Sequence, residues 1–386
     1  KQTVETTTPH RREEKITKMA GLEDSEPQDL LLVLAEKRYL IHHDASANKD
    51  TLVKEILQII EENNMLPYYQ FLLEHDSKFF TSNDDLIQRM RTVNEDKLKE
   101  LDEKIKDAED NFGESEVREA NLNKAEYYHK IGDKEKTLTQ YRITSEKTVS
   151  LGQRLDIVFG LLRVGFAFLD LDLIQRNVEK AKSMIEEGGD WERRNRLKVY
   201  EGTYLMLIRN FEGAAKLFLE SVSTFSATEL MPYNTFIYYA IIIAMIALER
   251  RDIKKKVIDS SDILSVLNQI PHASEFINSL YNCQYNKFLI ALVDVTDSMS
   301  KDRYVAPHVR FYSRELRIKA YSQFLESYKS VTLRSMAQDF GLSVQFLDSE
   351  LSRFISAGRL NAKIDKVGGI VETSNVGGAK NLQYHQ

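Results

Sequence analysis

The amino-acid sequence predicts an all-α protein: a right-handed helical-repeat solenoid followed by a C-terminal winged helix that carries a small β-hairpin. Three observations carry this reading. The 3.6-residue apolar period dominates, and six prolines and sixteen glycines in 386 residues are too few for the many turns of an all-β chain. A small residue followed by an aromatic recurs at spacings of about 40 and 37 residues. Finally, the stretch from Val331 to Thr373 reads as two short helices and a hairpin.

Residues 1–29 are polar, hold Pro9 and Pro27, and are expected to form a disordered or weakly ordered tail. They do not resemble a signal peptide. Lys1 stands where an initiator Met would, so a trimmed version of a longer protein is expected. Residues 30–112 should form N-terminal helices, from clusters such as Leu30–Leu34 and Ile56, Leu57, Ile59 and Ile60. Between Asn94 and Phe112, Leu98, Leu101, Ile105, Ala108 and Phe112 recur at steps of three and four among charges. That pattern is a long helix with one narrow apolar seam, braced by Glu95–Lys99, Glu100–Lys104 and Asp102–Lys106 pairs at i,i+4.

Residues 113–309 should form repeats of tetratricopeptide or HEAT type. Ala125, Gly165 and Gly202 mark close approaches of paired helices, aromatics follow, and Ile131-Gly132-Asp133-Lys134 and Ile208-Arg209-Asn210-Phe211 are the turns. Such units cannot bury their faces alone and must stack, giving a concave solenoid. Helices are expected at Pro232–Arg250, Asp262–Ile270, His272–Val295 and Arg310–Lys329. The run from Phe236 to Leu248 is apolar but shorter than the roughly 20 residues of a membrane span, so it reads as a buried helix.

The winged helix is expected over 310–375 and a tail over 376–386. Thr332 can cap a helix bearing Leu333, Met336, Ala337 and Phe340, with Gly341 as its C-cap. Ser343 caps a second helix with Val344, Leu347, Leu351 and Phe354 on one face, ended by Gly358. Leu360, Ala362 and Ile364 alternate as a strand does, Gly368-Gly369 turns, and Ile370-Val371 returns.

Charge and motifs narrow the function. With 53 basic and 59 acidic residues the net charge is −6, whereas a polyanion binder needs a basic excess. The single cysteine, Cys283, excludes internal disulfides and cysteine zinc sites, and is expected to be a buried or half-buried structural thiol. No phosphate loop, dinucleotide fingerprint, HExxH or CxxC occurs, and the histidines lack metal-ligand spacing. No catalytic, cofactor-binding or metal-binding residue is expected, and the chain reads as a non-enzyme.

Two sets of candidate interface residues stand out. Arg193, Arg194 and Arg196 form the densest basic cluster. Arg193 and Arg196 share a face that could hold phosphate or an acidic partner, or else bond helix C-termini between repeats while Trp191 fills a groove. Gln345, Asp348, Ser349, Glu350, Ser352, Arg353 and Ser356 are the expected exposed positions of the second helix, and its carboxylates would repel a duplex. The hairpin, by contrast, should present a free edge with Ile364, Val367, Ile370 and Val371, suited to pairing with another chain.

A helical-repeat solenoid running into a non-basic winged helix resembles the PCI-domain family. Within it, the run from Glu186 to Tyr200 (EEGGDWERRNRLKVY) resembles the family of the seventh non-ATPase subunit of the 26S proteasome lid. Asn64-Met65-Leu66-Pro67-Tyr68-Tyr69, Ile131–Glu135, Leu325-Glu326-Ser327-Tyr328, Gly358-Arg359-Leu360, Ile364–Val367 and Ile370–Thr373 match it as well, covering roughly Glu62 to Thr373. After Thr373 the family continues with an Asn-Arg-Pro-Asp-like turn, where this chain has Ser374-Asn375-Val376-Gly377-Gly378. The resemblance implies a non-catalytic scaffold of the 19S regulatory particle in cytoplasm and nucleus, supporting ubiquitin-dependent degradation through PCI–PCI contacts. It implies a hetero-oligomer with other PCI subunits of the lid, the lid deubiquitinase and the base ATPases, with no cofactor, nucleic acid or membrane. The alternatives are the equivalent scaffold of the COP9 signalosome, or a winged-helix nucleic-acid binder using the arginine cluster.

Overall fold

The computed structural model describes residues 28–44 and 48–373. Most of the expected N-terminal tail and all of the expected tail at 376–386 lie outside these residues. Along the chain run α1 (Leu30–His43), α2 (Lys49–Asn63), α3 (Leu66–His75), α4 (Asp84–Asn111), α5 (Glu114–Ile131), α6 (Lys134–Glu146), α7 (Leu151–Phe168) and α8 (Leu171–Gly188). They are followed by α9 (Trp191–Leu207), α10 (Phe211–Ser221), α11 (Tyr233–Ala247), α12 (Arg250–Ile253), α13 (Ser261–Leu267), α14 (Ala273–Tyr281), α15 (Tyr285–Ser300) and α16 (Val309–Leu325). The chain closes with β1 (Ser330–Thr332), α17 (Leu333–Phe340), α18 (Val344–Ser356), β2 (Ala362–Asp365) and β3 (Ile370–Thr373). Two compact units form: residues 28–35, 55–200 and 224–233, and residues 36–44, 48–54, 201–223 and 234–373.

In the first unit the long helix α4 starts earlier than its apolar seam suggests. Asn83 caps it, its side chain accepting from Leu86 N at 3.3 Å. Leu101 and Ala108 are buried as the spacing requires, but Phe112 is 59 % exposed because the helix stops at Asn111 and the backbone turns extended. Asn94 is buried instead: its amide donates to Asn64 O at 3.0 Å and its oxygen accepts from Tyr127 OH at 2.9 Å. Glu100 sits between Lys104 (2.6 Å) and Lys97 (2.7 Å), whose hydrogen bonds hold its pKa down at about 2. Asp102 reaches across to Lys124 of α5 at 2.5 Å.

The repeats are helical hairpins with a common turn: one residue in left-handed backbone, then an Asp or Asn cap. Gly132 (φ 80°) precedes Asp133, Leu169 (φ 53°) precedes Asp170, and in the second unit Arg209 (φ 65°) precedes Asn210. The caps accept from Lys136 N, Leu173 N and Gly213 N respectively. The turns therefore lie 37 and 40 residues apart, the reverse of the 40 and 37 separating Ala125, Gly165 and Gly202. Gly165 is displaced by one helical turn relative to the other two, since residues three or four apart share a helix face. All three still mark close packing. Ala125 is buried against Tyr141, a Cβ at Gly165 would lie 2.7 Å from Ile174 Cγ1, and one at Gly202 would lie 2.6 Å from the Phe218 ring.

The last residue of the expected tail is in fact anchored in the first unit. Asp29 N donates to Glu229 O at 2.9 Å, and the Asp29 carboxylate lies 2.5 Å from His129 Nε2 and 3.8 Å from Arg163 Nε. Burial opposes its charge, yet His129 and Arg163 outweigh that and hold its pKa below the usual carboxylate range.

In the second unit α11 is buried from Phe236 through Met245 apart from the half-buried Tyr238. Among the described residues no helix is long and apolar enough to cross a membrane. The expected helix His272–Val295 is two helices, because Cys283 adopts left-handed backbone (φ 58°) and Gln284 N bonds Ser279 O at 2.8 Å, closing α14. Cys283 is exposed rather than buried, since it occupies this turn.

Candidate partner interface in the winged helix

The winged helix is built from local signals that the sequence states openly. Thr332 Oγ1 accepts from Ser335 N at 3.2 Å to start α17, and Gly341 at φ 67° ends it. Ser343 Oγ accepts from Phe346 N at 3.3 Å to start α18. In the hairpin turn Val367 N donates to the Asp365 carboxylate at 2.9 Å, and a Cβ at Gly368 would come within 2.6 Å of that carboxylate. Gly369 supplies the left-handed residue (φ 63°).

The sheet has three strands, in the order β1-β3-β2, and both pairings are antiparallel. Val371 faces Val331 on one side and Ile364 on the other. This corrects the hairpin reading. β3 is the central strand, so Ile370 and Val371 offer no free edge, and Val371 is fully buried. The strand missed was Ser330-Val331-Thr332, too short to show alternation, and its signal was a β-branched pair next to a helix cap. Ile364 is half-buried on the edge strand β2, flanked by exposed Lys363 and Asp365, while Val367 at the turn is fully exposed. Of the four hairpin residues, only these two lie at an accessible edge or tip.

An aromatic cluster fixes this module to the helices before it. Phe340 stacks on Tyr285 of α15 with centroids 4.7 Å apart and meets Tyr321 of α16 edge-on at 4.9 Å. Phe324 lies 5.5 Å from Phe340 and 4.9 Å from Tyr328. A buried polar lock adds to it. Glu350 of α18 accepts from Arg317 Nε at 3.0 Å and from Tyr321 OH at 2.6 Å. Arg359 pairs with Glu315 through both terminal guanidinium nitrogens, Nη1 and Nη2. Glu350 was expected to be exposed on α18 but is buried, because the acceptor-hungry Arg317 and Tyr321 sit beneath it. Asp348 is half-buried and lies 3.6 Å from Lys366 Nζ. The exposed positions of α18 are thus Val344, which was expected on the apolar face, with Gln345, Phe346, Ser349, Arg353 and Ser356, and they offer one cation to a phosphate backbone.

The arginine cluster lies on α9, and two of its members, Arg193 and Arg196, bond within the first unit. Arg193 Nε and Nη2 donate to the Asp156 carboxylate at 2.9 and 2.7 Å, and its Nη1 donates to Asp190. The guanidinium lies about 3.3 Å from where a Cβ on Gly152 would stand, so it packs closely over the start of α7. Arg196 Nε donates to the buried Glu229 at 2.6 Å, which also accepts from Tyr200 OH at 2.7 Å. Packing between helices is the outcome, but its acceptors are side-chain carboxylates rather than helix C-termini. Trp191 does not fill a groove: it is 68 % exposed. Arg194 is exposed. Among the described residues no group of three or more His, Cys, Asp or Glu side chains is placed to hold a metal ion.

Comparison with known proteins agrees with this architecture. The family model described as 26S proteasome subunit RPN7 matches residues 83–256, and the PCI domain model matches residues 292–375. The chain is 52 % identical over 355 residues to the 26S proteasome non-ATPase regulatory subunit 6 homolog of Arabidopsis thaliana, covering 92 % of this chain and 91 % of that one. It is 48 % identical over 353 residues to the 26S proteasome non-ATPase regulatory subunit 6 of Dictyostelium discoideum, with the same coverage. It is 40 % identical over 353 residues to the 26S proteasome regulatory subunit RPN7 of Saccharomyces cerevisiae, covering 86 % and 82 %. With the RPN7 and PCI models matching in that order along the chain, and such identity along nearly its whole length, the protein belongs to the RPN7 family of 26S proteasome regulatory subunits.

Proposed function

We propose that this chain is a non-catalytic scaffold of the lid of the 19S regulatory particle, acting in cytoplasm and nucleus in ubiquitin-dependent protein degradation. Residues 310–375 serve as its assembly module. The observation that carries the reading is mechanical: the winged helix is locked to α15 and α16 by the Phe340 cluster and by Glu350, so a sheet edge is held in fixed register with the helices. A rigid edge suits a subunit whose task is to set the positions of others. The edge strand β2, with Ile364, and the exposed Val367 are the proposed contact to a neighbouring PCI subunit. Other proposed partners are the lid deubiquitinase and the base ATPases. Arg193 and Arg196 support the fold of the first unit, since carboxylates already occupy them. That occupancy, with the net charge of −6, disfavours the nucleic-acid reading.

Tagging the protein at its endogenous level and purifying it gently tests the proposal. Co-elution of proteasome ATPases with ATP-stimulated peptidase activity is the expected result. Recovery of a deneddylase complex, or of the protein with nucleic acid alone, would refute it.

A further inference from the structure

Trp191, the only tryptophan of the chain, opens α9 with 68 % of its surface exposed. Most of its surface is therefore left uncovered by the described residues. The backbone presenting it is nevertheless firmly held. Gly189 approaches α8 so closely that a Cβ would lie 2.7 Å from Ile185 Cγ1. Asp190 caps α9 by accepting from Arg193 N at 2.8 Å and also binds the Arg193 guanidinium, which is in turn gripped by Asp156 of α7. An exposed aromatic on a pinned backbone loses little conformational freedom on binding, the property of an interface anchor.

A second exposed apolar residue lies at the same end of the neighbouring helix. Val149, 79 % exposed, immediately precedes the Ser150 cap position of α7, and Leu151 reaches within 3.6 Å of where a Cβ on Gly188 would stand. The surrounding charge is negative. Within five residues of Trp191, Glu186, Glu187 and Glu192 are exposed beside the single exposed cation Arg194, while Asp156 and Asp190 are taken up by Arg193. Arg154, near the start of α7, donates to Thr148 O at 2.5 Å. An indole face is itself an acceptor for a cation.

We propose that Trp191 anchors a docking site for a basic segment of another subunit. A Lys or Arg of that segment lies over the indole face within the carboxylate collar, and an adjacent apolar residue covers Val149. The site is separate from the winged-helix edge and rests on the scaffold reading above, because the basic segment belongs to the assembled particle. Charge complementarity selects this occupant over a second copy of the chain, which would bring the same negative collar.

Hydroxyl-radical footprinting with mass spectrometry, on the unmodified chain alone and inside the purified regulatory particle, tests the idea. Oxidation of Trp191 should fall at least ~10-fold on assembly, as expected for a desolvated anchor. A photo-crosslinking p-benzoylphenylalanine in place of Trp191 should then capture a peptide of another subunit with Lys or Arg within a few residues of the link. Equal oxidation of Trp191 in an incorporated subunit overturns the docking site and leaves the scaffold reading standing. Crosslinks to a second copy, or to an acidic segment, also overturn it. Failure of the unmodified chain to enter the particle overturns both.

Discussion

Replacing Phe340 with alanine should detach the winged helix from the helices that carry it. Phe340 is 1 % exposed and its ring meets Tyr285 at 4.7 Å, Tyr321 at 4.9 Å and Phe324 at 5.5 Å. Truncating a buried Phe costs about 3–5 kcal/mol, and aromatic pairs each contribute roughly 0.5–1.5 kcal/mol beyond area burial. These terms overlap, so about 4 kcal/mol is the expected total loss. Hydrogen exchange read by mass spectrometry locates that loss, because the affected amides sit in a defined segment. At 1.4 kcal/mol per decade, exchange of the β3 amides in residues 370–373 should accelerate by roughly 10³. Exchange in α7 and α8, which belong to the other unit, should change little. Phe340→Leu keeps most of the volume and should cost less than ~1.5 kcal/mol, about tenfold in exchange. If Phe340→Ala left β3 protection within threefold of the unmodified chain, the aromatic cluster would not be what fixes the module.

Val371→Asp and Ile364→Asp should separate folding from assembly. The first puts a carboxylate at a fully buried central-strand position and should cost more than ~3 kcal/mol, visible as loss of near-ultraviolet circular dichroism. The second, on the edge strand, should leave the isolated chain folded while weakening its entry into the particle; normal incorporation would argue against the β2 edge. Arg193→Gln with Asp156→Asn, in a double-mutant cycle by urea denaturation, should give a coupling of about 1 kcal/mol, since the side chains are 27 % and 45 % exposed. A coupling near zero would show the pair to be ornamental to stability. Lys319, which donates to Met245 O at 2.6 Å and to Leu248 O, has its pKa lowered by burial to about 8 from 10.5. Between those values the unfolded chain binds the extra proton, so stability should rise as pH increases from about 8 to 10.5. Lys319→Met should flatten that slope in thermal melts, and an unchanged slope would assign it to another group.

The sequence by itself determined what rests on neighbours in the chain. Thr332, Gly341 and Ser343 bound α17 and α18 where their capping chemistry puts them, and Gly369 turns the hairpin, because each of these preferences acts over a few residues. The family was legible too, in the run from Glu186 to Tyr200 and in shorter matches dispersed along the chain. Tertiary structure decided the rest. Ser330–Thr332 becomes a strand only by pairing with residues some forty positions later, which makes Ile370 and Val371 interior where a two-stranded hairpin would have left them at an edge. Glu350 shares the surface-type spacing of its helix, yet Arg317 and Tyr321 wait beneath it, and Arg196 finds Glu229 only through folding. Charged residues read alike in sequence whether they meet water or a distant partner. Their burial depends on contacts between positions far apart in the chain, and local periodicity carries no record of those contacts.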